Sequence, residues 1–170
     1  CNIAELATIF FAVLMWWPVP LVAIQILFMN LVTDNMPALT LWFTAGSWYI
    51  MKLKARRNSE ILNTKKKILM IGVWLFMAAW ALVVYYITLN VLNWSLVAAH
   101  TATLLTLIMF EVSNAFNFRS LYTWFFKTNL FRNTLLIYAG AVSLLATVAI
   151  MHSPFLQKLF ETTGLPWHLW

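Results

Sequence analysis

Four apolar runs in this chain are long enough to cross a bilayer, which takes about 20 residues. They occupy 21–45, 68–90, 95–118 and 130–151, and shorter runs occupy 2–17 and 165–170. Only 9% of the residues are charged, whereas a soluble domain carries about 25%. So few charges cannot coat a soluble surface of this size. The sequence therefore predicts an all-α fold, a polytopic transmembrane helix bundle in the lipid bilayer.

The two shorter runs are interpreted as incomplete helices of a single membrane domain over residues 1–170. The run at 2–17 is expected to be truncated at its start, and 165–170 to be the start of a further segment. Neither a Met nor a basic region precedes the first run, which is therefore not typical of a signal peptide. We expect the chain to be cut from something longer.

The basic residues predict the topology. All of them except Lys158 lie in or beside two connections, Gly46–Lys67 and Arg119–Asn129, which fall on one side of the membrane if the spans alternate. The positive-inside rule places such connections in the cytoplasm. The net charge of +6 is thereby explained without nucleic acid as a partner.

Three of the five acids, Glu5, Asp34 and Glu111, lie inside apolar runs. A charge in mid-bilayer costs about 3 kcal/mol on insertion scales. The spans contain no basic residue that could pair with these acids. They therefore need another partner, and a bound cation or protons would serve.

Each of these acids has amide or hydroxyl neighbours three or four residues apart along the chain, which places them on a shared helix face. The sets are Asn2 with Glu5, Asn30 and Thr33 with Asp34, and Glu111 with Asn114. All offer oxygen, the ligand that hard cations such as Ca²⁺ prefer. Asn and Thr in spans also form plain interhelical hydrogen bonds, and for any one of them alone that interpretation stays open.

Helix geometry predicts that the three acids lie at similar depth. At 1.5 Å per residue, Glu5 lies about 18 Å from the turn after Trp17, Asp34 about 20 Å and Glu111 about 24 Å from the same outer side. Pro37 predicts a break in the second run, because a proline cannot bond the carbonyl four residues earlier. That carbonyl belongs to Thr33. Broken helices at membrane depth line cavities and coordinate ions in transporters.

The motifs that contain these residues resemble the carboxy-terminal membrane region of P-type cation-transporting ATPases, in particular calcium pumps of the sarcoplasmic-reticulum type. The resemblance rests on CNIAEL at 1–6, NLVTDNMPA at 30–38 and FEVSNAFN at 110–117. It covers nearly the whole chain and implies transmembrane helices five to nine. It also implies the ligands of one calcium site, which are Asn2, Glu5, Thr33, Asp34 and Glu111. Asn30 and Asp34 would contribute to a second site that also needs a fourth-helix Glu, which this chain lacks.

The resemblance implies the membrane-embedded, cation-binding part of a P-type calcium-transporting ATPase. Ca²⁺ would be the transported ion, and Mg-ATP would act only through domains absent here, because the sequence has no DKTG phosphorylation motif. The chain alone is therefore expected not to hydrolyse ATP. Its implied partners are the bilayer and the remaining helices and cytoplasmic domains of the pump, or other membrane subunits.

Two other functions stay open. The chain could be a structural or accessory membrane subunit derived from that domain, or a passive cation or proton pathway. A phosphorylation domain encoded upstream would support the pump, and a natural start near Cys1 the accessory subunit.

Overall fold

The computed structural model describes residues 2–42, 64–118 and 134–164, and within these ranges every regular element is a helix. This confirms the predicted all-α fold class. The helices are α1 (Asn2–Leu14), α2 (Ala23–Phe28), the π-helix π1 (Met29–Asp34), α3 (Asn35–Trp42), α4 (Thr64–Tyr86), the π-helix π2 (Ile87–Val91), α5 (Leu96–Phe118), α6 (Thr134–His152) and α7 (Pro154–Phe160).

Three of the helical stretches are long and apolar enough to cross a membrane, namely Lys67–Val91, Leu96–Asn117 and Thr134–His152. They correspond to the predicted runs 68–90, 95–118 and 130–151. The first helix, α1, is apolar but shorter. Most of the connection Gly46–Lys67, the connection Arg119–Asn129 and the predicted segment 165–170 lie outside the described residues.

The second apolar run is irregular, but the predicted break at Pro37 needs correcting. Helical backbone continues from α2 through π1 into α3, and Pro37 lies inside α3. The irregularity is one turn earlier, where six residues adopt π-helical geometry. A π-helix bonds i to i+5 rather than i+4, so its wider turn makes room for the proline ring without ending the helix.

Helix α5 lies at the centre of the bundle. It contacts α4, π1, α3 and α6, and it is the most buried of the three candidate spans. Small side chains such as Ala98, Ala99 and Ala102 line its first half, which lets neighbouring helices approach closely. Glu111 lies further along this buried helix, so its carboxyl group faces protein rather than lipid.

The turns at the end of the bundle opposite the basic connections are held by specific contacts. Trp16, in the turn after α1, has left-handed backbone with φ 59°. A hydrogen bond of 2.9 Å from the Tyr85 hydroxyl to the Pro18 carbonyl holds this turn against α4. Gln25, at the start of α2, donates to the carbonyl of Phe160 at the end of α7. The first contact joins the turn after α1 to α4, and the second joins α2 to α7.

Candidate cation-binding site

The centre of the candidate site is a pair of carboxyl groups from different helices. Glu5 lies in the first turn of α1 and Glu111 in the second half of α5. Their side chains are only 2% and 3% exposed, and the two carboxyl groups interact directly with each other. Two acids more than a hundred positions apart in the chain are thus brought together inside the bundle.

Asn30 links π1 to the acid of α1. Its amide nitrogen Nδ2 donates to Oε2 of Glu5 at 3.3 Å and to the carbonyl oxygen of Ile26 at 3.0 Å. The two amide protons therefore go to different acceptors, one to the backbone carbonyl of Ile26 and one to the carboxyl group of Glu5. The side chain is held in place with its amide oxygen available to a further partner.

Thr33 links the same π-helix to the acid of α5. Its hydroxyl oxygen lies 2.7 Å from Oε2 of Glu111 and 2.8 Å from the carbonyl oxygen of Met29. Thr33 is fully buried, so this contact lies away from lipid and solvent. Together with Asn30, it positions π1 between α1 and α5.

Asp34 lies beside this network without being hydrogen-bonded to it. The side chain is half-buried, and its carboxyl group interacts electrostatically with those of Glu5 and Glu111. An α-helix would have placed Asp34 on the same face as Asn30 and Thr33. The π-helical turn holds more residues, so Asn30, Thr33 and Asp34 spread over a wider arc.

Two other polar residues of the predicted sets lie apart from the carboxyl pair. Asn2 is exposed at the start of α1 and forms no hydrogen bond with a described residue. Asn114 is half-buried, and its amide nitrogen lies 2.9 Å from Sδ of Met77 on α4. The structure therefore groups Glu5, Asn30, Thr33 and Glu111, with Asp34 adjacent, and does not bring Asn2 to them.

The network has acceptor capacity to spare. Oε1 of Glu5 and Oε1 of Glu111 are buried without a hydrogen-bond partner, and within the described ranges no Lys or Arg forms an ion pair with either acid. Buried carboxyl oxygens need a proton, a donor or a cation. No three His, Cys, Asp or Glu side chains among the described residues are grouped to hold a metal ion, so a cation here would also need the amide and hydroxyl oxygens.

Ser143 contacts the π-helix that carries Asn30, Thr33 and Asp34, and the sequence did not indicate this contact. It lies on α6, is fully buried, and donates its hydroxyl to the carbonyl oxygen of Val32 in π1 at 3.3 Å. A lone serine in an apolar span typically bonds its own helix. No spacing or charge pattern distinguishes this serine from that case.

Comparison with known proteins identifies one family for nearly all of this chain. The family model described as "Cation transporting ATPase, C-terminus" matches residues 18–170. A calcium-transporting ATPase of Bacillus subtilis is 33% identical over 168 residues, which cover 96% of this chain and 18% of that protein. The endoplasmic reticulum calcium ATPase srcA of Aspergillus fumigatus is 28% identical over 99% of this chain and 21% of its own length.

A human relative, calcium-transporting ATPase type 2C member 1, is 30% identical over 96% of this chain and 18% of its own length. The chain thus spans about a fifth of the length of the curated relatives it matches.

Proposed function

Because this chain belongs to the C-terminal family of cation-transporting P-type ATPases, we propose that it forms the membrane-embedded, cation-binding part of a calcium-transporting pump. Membership of this family supplies the general context, which is cation transport by P-type ATPases. The identity of the ion, the ligands and the dependence on ATP-hydrolysing domains elsewhere in the protein are parts of the proposal.

The observation that carries the proposal is that Glu5 and Glu111 are both buried and that their carboxyl groups lie close enough to interact. Two carboxyl groups buried side by side in a bilayer repel each other when both are ionised. They persist in one place only if a proton or a cation compensates the charge. A cation between α1 and π1 on one side and α5 on the other would use the two unpartnered Oε1 atoms.

The surrounding side chains supply ligands of the same chemistry. The Asn30 amide oxygen and the Thr33 hydroxyl lie next to the two acids, and Asp34 adds a third carboxyl group within electrostatic range. Carboxylate, amide and hydroxyl oxygens favour Ca²⁺ over the softer transition metals. The calcium-transporting relatives support the same choice of ion.

Each side chain has a distinct role in this proposal. Glu5 and Glu111 provide the charge at the centre. Asn30 and Thr33 orient these acids by hydrogen bonds and offer their own oxygens as ligands. Asp34 would join the ligands by a change in its side-chain rotamer or in the π-helical turn. Asn2 would be the outermost ligand, reached only if the first turn of α1 rotates toward the acids.

The test is calcium-dependent formation of phosphoenzyme from ATP in the full-length protein that contains this chain. We expect Asp34→Asn and Glu111→Gln each to abolish it, because each removes a charge from the site while preserving side-chain volume. Glu161→Gln is the matched control, since Glu161 is an exposed acid at the end of α7, and it should retain calcium dependence. Wild-type calcium dependence in Asp34→Asn would exclude Asp34 as a ligand.

A further inference from the structure

Ser143 uses its hydroxyl differently from most hydroxyl side chains in these helices. The usual arrangement is a bond to the carbonyl three or four residues earlier in the same helix, as made by Thr8, Thr33, Thr88, Thr101, Thr103, Thr106, Ser113 and Thr147. Ser143 donates instead to Val32, on a different helix and 111 positions away in the chain. Its hydroxyl therefore links α6 to a backbone carbonyl of π1.

The backbone of π1 explains why the Val32 carbonyl needs an external donor. Val32 lies within the π-helical segment Met29–Asp34, and at π-helical spacing the donor for its carbonyl would be the N–H five residues later. For Val32 that residue is Pro37, which has no N–H. At that spacing the hydrogen bond that Pro37 cannot make falls on Val32 rather than on Thr33, where an α-helix would have it. An unpaired carbonyl buried in a membrane protein is costly.

The packing of α6 holds Ser143 in position for this bond. Gly140, one turn before Ser143, lies so close to α5 that a Cβ there would be 3.4 Å from the Phe116 ring and 3.6 Å from Val112. α6 also contacts π1 and α3 directly. The backbone around Ser143 is therefore packed against α5, π1 and α3, and this packing keeps the hydroxyl within reach of the Val32 carbonyl.

We propose that Ser143 is a positioning residue for the cation site: its hydrogen bond to the Val32 carbonyl holds the π-helical turn that sets the directions of Thr33 and Asp34. Thr33 and Asp34 directly follow Val32, so the plane of the peptide that Ser143 fixes is the one joining Val32 to Thr33. This inference rests on the proposed function, because it assigns Ser143 to the geometry of that same site. Ser143 itself does not touch the cation.

The first experiment compares two hydroxyl deletions on the same face of α6 in the full-length protein. Ser143→Ala removes the donor to Val32, whereas Thr147→Val removes a buried hydroxyl that bonds only its own helix, at the carbonyl of Ser143. We expect Ser143→Ala to raise the half-saturating calcium concentration for phosphoenzyme formation by about three- to tenfold, with the maximal level unchanged. Thr147→Val should stay within about twofold of wild type. Equal effects of the two variants would overturn the proposal.

The second experiment tests the coupling to Pro37. Pro37→Ala restores a backbone N–H that can bond the turn's open carbonyl, so removing the Ser143 hydroxyl from that background should change calcium affinity by less than about twofold. The apparent melting temperature in detergent is measured on wild type, Ser143→Ala, Pro37→Ala and the double variant. This double-mutant cycle gives an answer even if Pro37→Ala binds calcium weakly. A Ser143→Ala effect of equal size in both backgrounds would contradict the proposal.

Misfolding is also informative in this design. If Ser143→Ala misfolds on its own but the double variant with Pro37→Ala folds, the coupling is supported. If both the single and the double variant misfold, the coupling is overturned. Absence of calcium-dependent phosphoenzyme in the wild type would instead refute the proposed function, which is a separate outcome.

Discussion

The Thr33 hydroxyl lies 2.7 Å from Oε2 of Glu111 and 2.8 Å from the carbonyl oxygen of Met29. A hydroxyl has one proton and can donate to only one of these oxygens. If Glu111 is protonated, its carboxyl donates to Thr33 and Thr33 donates to Met29, so that both contacts are hydrogen bonds. The geometry thus fits a protonated Glu111, and binding of a cation by that carboxyl would release the proton.

Thr33 is therefore expected to control the affinity of the site through Glu111. Thr33→Val keeps the shape of the side chain but removes the hydroxyl, so Oε2 of Glu111 loses its contact with Thr33. We expect the half-saturating calcium concentration for phosphoenzyme formation to rise by about tenfold or more. The measurement is a calcium titration of the full-length protein in membranes.

Thr33→Ser provides the control for this prediction. It retains the hydroxyl and loses one methyl group, so its calcium dependence should remain close to that of wild type. If Thr33→Val titrates like wild type, the contact with Glu111 has no role in cation binding.

Much of the arrangement of the acids could be predicted from residue type and span length. Glu5 and Glu111 interrupt apolar runs at similar calculated depth, and in the structure they are in contact. The direction of Asp34 could not be predicted in the same way, because α-helical spacing does not describe a π-helical segment. In our proposal that geometry depends on Pro37 together with the Ser143 donor from α6, and a tertiary contact of this kind leaves no local pattern.

The position of Asn2 shows a second limit of periodicity. Spacing places Asn2 and Glu5 on one helix face, yet Glu5 is buried and Asn2 is exposed. Residues three apart differ in direction by about 60° on an α-helix, which is enough to separate a contact from an exposed side chain at a helix end. Depth and face can thus be estimated from sequence, whereas contacts at a terminus depend on what packs there.

The topology prediction concerns the connections Gly46–Lys67 and Arg119–Asn129. Their basic residues predict that they lie in the cytoplasm. A single cysteine introduced by Ser59→Cys or Thr123→Cys, in a background lacking Cys1, should therefore resist a membrane-impermeant maleimide added outside intact cells. Asn93→Cys, in the exposed turn between π2 and α5, should be labelled. External labelling at either of the first two positions would reverse the assignment.

Catalytic silence is expected of residues 1–170 on their own. The sequence contains no DKTG motif, so the purified chain should form no acyl-phosphate with radiolabelled ATP under conditions where a full-length pump does. The full-length protein is the positive control. Phosphoenzyme formed by residues 1–170 alone would require a phosphorylation site of a different kind.

The last prediction concerns Gln25, a fully buried amide that joins two distant parts of the chain. Its Nε2 donates to the carbonyls of Phe160 at 3.0 Å and Glu161 at 3.3 Å, and its Oε1 accepts from the backbone N–H of Val22 at 3.2 Å. Gln25→Leu removes the side-chain partner of these three part-buried backbone groups, at a cost of about 1 kcal/mol for each hydrogen bond. Gln25→Glu should be at least as harmful, since a carboxylate oxygen would then face two carbonyl oxygens. We expect both variants to lower the apparent melting temperature in detergent by about 4 °C or more, whereas Asn90→Ala, which removes an exposed amide bonded only within its own helix, should have little effect. A melting temperature unchanged in Gln25→Leu would show that the contact between α2 and the end of α7 does not stabilise the bundle.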